Sequence, residues 1–186
     1  MNRAGIFRVL FFVLMSLYPL IVYLGLKHLP ISFFGLLLLA LVLVRWGIML
    51  PSERRLMLPL LLGLLGYSIV CALSGSQRML LLYPAVVNFT LCALFAFSLW
   101  QEESILLRLV RSRNVEMSDS GPAYIKRLTG LWALFFALNG TVAILSGFIS
   151  LEFWALYNGL VSYLVIAVLI VGEMIFRRYY KRRKGV

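Results

Sequence analysis

The chain is poor in the residues from which most enzymes are built. Of 186 residues, 7 are Asp or Glu and a single one, His28, is histidine. One histidine excludes a zinc-binding histidine pair, and it leaves a Ser-His nucleophile without its base everywhere except the loop that holds His28. No Gly-rich phosphate loop and no Asp-rich metal box occurs. Glu102 and Glu103 are neighbours on different helical faces beside arginines, which is the pattern of a solvated charge run rather than a catalytic dyad. The expectation is therefore a protein without catalytic residues, metal or cofactor. Cysteine is scarce too: Cys71 and Cys92 fall at depths that differ by roughly 15 Å in the helices predicted below, too far for a disulfide.

Charge is also missing from the middle of the long apolar runs. That absence excludes the series of buried carboxylates on which a proton-driven pump depends. What remains is 62% hydrophobic, with a mean hydropathy of +0.96. A domain of this size cannot hide so much apolar surface within itself, so hydrocarbon is the expected solvent. The runs predict an all-α, polytopic integral membrane bundle, one transmembrane domain with six spans at 7–26, 31–50, 57–74, 79–100, 129–149 and 153–175. The first run could be read as a secretory signal because Arg3 and Arg8 precede it. It is followed by Lys27-His28-Leu29-Pro30 without a small-residue cleavage site, and is expected to be retained.

The 18 basic residues are not spread evenly. With the amino terminus cytoplasmic, sixteen of them face the cytoplasm and only Lys27 and Arg78 face outwards, as the positive-inside rule requires. Both termini, a loop at 101–128 and a basic tail at 176–186 are accordingly placed in the cytoplasm. The pI near 10.2 would suggest nucleic acid for a soluble chain, but these charges are juxtamembrane and no nucleic-acid module remains, so no nucleic-acid partner is expected. Arg108, Arg111, Arg113, Arg177 and Arg178 are the candidate contacts to anionic lipid head groups. In the loop, Ile105, Leu106, Leu109 and Val110 share a helical face opposite arginines. This describes either a short helix lying on the membrane surface or an extension of span four with snorkelling arginines.

Polar residues inside the apolar runs are the candidate site. A carboxamide in hydrocarbon is costly unless a neighbouring helix supplies its partner. Asn88 and Asn139 are expected near the midplane, within reach of each other, and Asn158 nearer the outer surface. Two readings stand open. The three asparagines are packing glue, or with Tyr83, Tyr157, Thr90 and Thr141 they line a polar groove for a lipid head group or substrate. Gly63 with Gly66, Gly140 with Gly147, and Gly159 with Ser162 are spaced to admit a facing backbone. Pro19 is expected to bend span one. Trp46, Trp100, Trp154, Tyr157, Tyr179 and Tyr180 stand near span ends as interfacial anchors, and Arg45 and Glu173 are placed where an interhelical ion pair can form.

The second half resembles the intracellular septation protein A (YciB) family. The resemblance is carried by the basic stretch Leu106-Leu107-Arg108-Leu109-Val110, the Pro-containing loop after it, Leu131-Trp132-Ala133-Leu134-Phe135-Phe136-Ala137-Leu138-Asn139-Gly140, and Phe153-Trp154-Ala155-Leu156-Tyr157-Asn158. It implies a bacterial inner-membrane protein that supports cell-envelope synthesis and septation through envelope or division membrane proteins or lipids, with no catalytic residues to carry over. The alternative expectation is a small transporter or flippase for a lipid or lipid-linked precursor, with the polar groove as its path.

Overall fold

A computed structural model describes residues 17–48, 51–112 and 121–184, with the side chains of 48, 51–57 and 179–184 left aside. Among the described residues every regular element is helical. Helix α1 covers 17–25, and α2 is Ile31–Ile48, α3 Pro51–Ser74, α4 Gln77–Leu81, α5 Tyr83–Ser98, α6 Ile105–Arg111, α7 Gly121–Ile149 and α8 Leu151–Leu156; a π turn at Tyr157–Val161 then leads into α9, Ser162–Lys184. Two stretches, Gly121–Ile149 and Leu151–Arg178, are long and apolar enough to cross a membrane, while Ile31–Gly47, Leu58–Ser74 and Tyr83–Ser98 are apolar over shorter lengths.

Several expected boundaries shift. The first predicted span is described only from residue 17. The predicted span 79–100 is two helices that meet at Leu82, because Pro84 in the first turn of α5 has no N–H to give to the Leu80 carbonyl, while Leu82 keeps its bonds to the Arg78 carbonyl and from the Val86 N–H. The predicted loop 101–128 contains helix on both sides of the residues left undescribed: α6 lies within it, and α7 already starts at Gly121, with Pro122 in its first turn. The last helix runs past 175 to Lys184, so the backbone of the basic tail is helical as far as that residue.

Two pairs of helices form the body. In the first, α2 lies so close to α3 that a methyl group on Gly35 would stand 2.4 Å from the Ala72 amide nitrogen. Tyr18, Val22, Phe34, Leu38, Leu41, Val42, Leu61 and Leu64 fill the core around that contact. Gly35 was not among the glycines singled out from spacing. Gly63 and Gly66, which were, meet nothing within 4 Å and do not receive a facing backbone. The second pair is α5 and α7. Small or compact residues on α7, namely Thr129, Ala133, Gly140, Ala143 and Ser146, are buried at helical spacing. They let α5 approach, and Phe95 of α5 meets Phe136 edge-on at 5.2 Å.

Helix α6 is not a straight continuation of α5. The chain turns at Leu99–Ser104, and the Ser98 hydroxyl oxygen accepts the Ile105 N–H at 3.1 Å. The hydroxyls of Thr129 and Ser104 are 3.0 Å apart and hydrogen-bonded. Ile105 packs with Phe95 and Ala133, and Leu107 is buried as well. The seven-residue helix thereby docks on the α5 and α7 pair, covering its end.

Candidate functional site

The three asparagines separate into two clusters rather than one groove. The first runs across three elements. Tyr157 at the start of the π turn donates its hydroxyl to Asn139 Oδ1 at 2.8 Å; Asn139 Nδ2 donates to Asn88 Oδ1 at 3.0 Å; and Asn88 Nδ2 donates to the Pro84 carbonyl at 2.7 Å. The order has a backbone reason. Gly140 sits where a methyl group would come within 3.1 Å of Asn88 Cβ and of the Phe89 ring, so the glycine after Asn139 is what allows α5 close enough for two short carboxamides to meet. Asn139 is buried and its two neighbours are half-buried. Each of the three therefore has a partner, as burial among apolar side chains demands.

The second cluster belongs to Asn158. Its Nδ2 lies 3.2 Å from Ser146 Oγ and 2.9 Å from the Trp154 carbonyl, and the Ser162 hydroxyl donates to the Asn158 carbonyl at 3.3 Å. Tyr83 joins neither cluster: it is buried with its ring 5.3 Å from that of Tyr18. Tyr18 donates to the Phe34 carbonyl at 3.2 Å, binding α1 to α2. Thr90 and Thr141 turn back onto the Val86 and Ala137 carbonyls of their own helices. Of the five groove candidates, Asn88, Asn139 and Tyr157 are brought together, and Asn158 and Tyr83 are placed elsewhere.

Trp154 corrects an expectation. It is fully buried, not an interfacial anchor, and its indole N–H donates to the Leu81 carbonyl at 2.8 Å. That carbonyl stands beside the break that Pro84 imposes. The signal was present in the sequence: a Pro inside an apolar run leaves backbone carbonyls short of donors, and a tryptophan is an apolar body with one donor. Trp46 and Trp100 are exposed, as anchors are. Tyr179 and Tyr180 lie outside the described side chains.

The cationic candidates also divide. Arg108 donates to Gln101 Oε1 and Arg111 pairs with Glu103, so both are turned onto their own loop. Arg113 lies outside the described residues. Glu173 does not take Arg45; it accepts from the Tyr124 hydroxyl at 3.0 Å and stands 3.9 Å from Arg177. The Tyr124 and Phe176 rings stack at 6.5 Å with 10° between their planes. Those contacts join the start of α7 to α9, and they bring exposed Lys126 and Arg127 to the same end of the bundle as exposed Arg177 and Arg178. Lys126 and Arg127 were counted among the cytoplasmic charges but not as contacts.

No family model, curated protein or solved structure matches this chain.

Proposed function

We infer that the protein is a non-enzymatic bacterial inner-membrane bundle with six crossings, which supports cell-envelope synthesis or septation by binding lipid head groups or partner membrane proteins at its cytoplasmic end. The observation that carries this reading is how the interior polar groups are used. Tyr157, Asn139, Asn88 and Pro84 form a closed series of hydrogen bonds, and Asn158 is bonded to Ser146 and Trp154. Groups so engaged hold helices together, and among the described residues these asparagines are turned onto one another and onto backbone carbonyls rather than onto an open path. The working surface is then at the periphery.

Chain length is compatible with the six crossings. Helix α2 has 18 residues and the apolar part of α3 is Leu58–Ser74, or about 27 and 26 Å of rise, which a hydrocarbon core of about 30 Å accommodates with modest local thinning. Helices α4 and α5 together run from Gln77 to Ser98 and continue one another across Leu82. In this topology Lys126, Arg127, Arg177 and Arg178 meet the head groups of the cytoplasmic leaflet, where each basic residue contributes about 1 kcal/mol of attraction to an anionic surface. Arg108 and Arg111 contribute less because they are paired within the chain.

The test is purification from native membranes in lipid nanodiscs, comparing the wild type with a variant in which Lys126, Arg127, Arg177 and Arg178 are all replaced by Gln. The wild type should retain anionic phospholipid above its share in the membrane, or an envelope protein, and the variant should lose that enrichment. Recovery of neither from the wild type refutes the reading.

A further inference from the structure

The last helix contains a feature that the packing alone does not require. At Tyr157–Val161 the helix widens to a π turn, and the Ser162 N–H reaches back five residues to the Tyr157 carbonyl. In an α-helix that N–H would serve the Asn158 carbonyl. Here the Ser162 hydroxyl takes its place at 3.3 Å. The Asn158 side chain, meanwhile, bridges the Trp154 carbonyl and Ser146 of α7. Gly159 faces α1, where a methyl group would stand 3.7 Å from Pro19 Cβ and 3.8 Å from the Leu20 nitrogen. Side chains thus satisfy the widened turn, and they anchor it to α7 and α1. Such single π turns concentrate at functional sites and mark places where helix register changes.

Beyond the turn, α9 is held loosely. Only 6% of the apolar window of Leu151–Arg178 is buried, against 39% for Gly121–Ile149. Leu164, Val165, Val168, Ile170, Val171 and Ile175 are all exposed. At its far end α9 meets α7 through Tyr124, Glu173 and Phe176. A rotation of this segment about its own axis exchanges a single half-buried face, that of Tyr163, Ile166, Leu169 and Glu173, for one that is exposed now, and so costs little buried area.

We propose that the π turn is a register switch: with Asn158 and Ser162 engaged it holds α9 in the facing seen here, and on release it converts to α-helix and turns α9 so that the Tyr124–Glu173 contact opens. Conversion shifts the register by one residue, a rotation of about 100°. Ser162 N–H then returns to the Asn158 carbonyl, so the backbone loses no hydrogen bond. Tyr157 leaves Asn139 in the same movement, since it lies within the segment that rewinds. The device couples the polar clusters inside the bundle to the arrangement of Arg177 and Arg178 against Lys126 and Arg127. It does not depend on what binds at that end.

Cross-linking tests this in the full chain with Cys71 and Cys92 replaced by Ala. One reporter pair is Tyr124→Cys with Phe176→Cys, across the contact expected to open. The other is Phe95→Cys with Phe136→Cys, on α5 and α7, which is expected to stay. Asn158→Leu should lower the yield of the first pair about fivefold, the shift expected for losing the one interhelical bond, to Ser146, that distinguishes the two states, and leave the second unchanged. Deleting Leu160 in the same variant should restore the first pair, because a turn one residue shorter is α-helical with the original facing downstream. An unchanged first pair, or a deletion that fails to restore it, overturns the proposal. Should Asn158→Leu lower both pairs, the variant has lost its fold, and Ser162→Ala, which removes only the hydroxyl, decides by the same criterion.

Discussion

Replacing Gly35 by Ala adds one methyl group at the closest backbone approach made by any of the described glycines. That methyl would stand 2.4 Å from the Ala72 nitrogen and 2.5 Å from its Cα, with the Cys71 carbonyl carbon at 2.9 Å. All three are backbone atoms, so no side chain can swing aside. Helices α2 and α3 must part by about 1 Å, and a gap of that size forfeits a quarter to a half of the dispersion energy of each contact across the seam. Overpacking of this kind costs about 1 to 3 kcal/mol. Against it stands the better helix propensity of Ala, which favours the folded state by up to about 1 kcal/mol. The net expectation is a loss of up to about 2 kcal/mol, or up to about 6 °C in the midpoint of thermal unfolding, and of about 1 to 3 kcal/mol relative to a glycine that gains the same propensity without the clash. Gly63→Ala and Gly66→Ala carry the same propensity gain into open space, and are expected to be neutral or slightly stabilising. Unfolding of the detergent-purified protein, followed by tryptophan fluorescence, compares the three. If Gly35→Ala unfolds at the same temperature as Gly63→Ala, the close α2 and α3 crossing is wrong, and with it the first half of the bundle.

Three further outcomes follow from the hydrogen bonds. Asn139→Leu and Asn88→Leu should each destabilise by about 1 kcal/mol, and the double variant should cost less than their sum, because both remove the same bond; additive losses in a double-mutant cycle would show that the two carboxamides do not meet. Trp154→Phe keeps most of the buried volume but withdraws the donor from the Leu81 carbonyl, with an expected cost of about 1 to 3 kcal/mol, measured by the same unfolding assay. Thr129→Val removes the hydroxyl bonded to Ser104 and should loosen α6, seen as faster protease cleavage between residues 99 and 112; an unchanged rate would argue that Ile105 and Leu107 alone hold it.

How much of this was legible beforehand depends on the kind of signal. The pairing of Asn88 with Asn139 could be foreseen because depth follows from a count of residues along a span, and two carboxamides at one depth in hydrocarbon seek each other. Asn158 could be placed at another depth by the same count, but not its partners, since Ser146 and the Trp154 carbonyl are selected by a π turn that hydropathy does not register. Trp154 was misplaced because an aromatic near a span end is ordinarily an anchor. Only the combination with Pro84, on a different helix, reveals that it supplies a donor. Gly35 was overlooked for a related reason: a lone glycine carries no spacing motif, whereas Gly63 and Gly66 have a motif and face nothing. The docking of α6 is not legible because its apolar face fits a membrane surface and a bundle end equally well, and Ser98, Ser104 and Thr129, which tie it to α5 and α7, carry no pattern along the sequence.

The central claim is that hydrocarbon surrounds a bundle whose cationic end faces the cytoplasm, and residue accessibility in intact cells tests it most directly. Single cysteines are placed at His28, Gly75 and Ser150, and separately at Ser112 and Arg178, in a chain whose Cys71 and Cys92 are replaced by Ala, and the cells are exposed to a membrane-impermeant maleimide. The first three positions should label in intact cells and the last two only after the membrane is opened. Labelling of Ser112→Cys or Arg178→Cys from outside, or protection of all three loop positions, would contradict the topology on which the account rests.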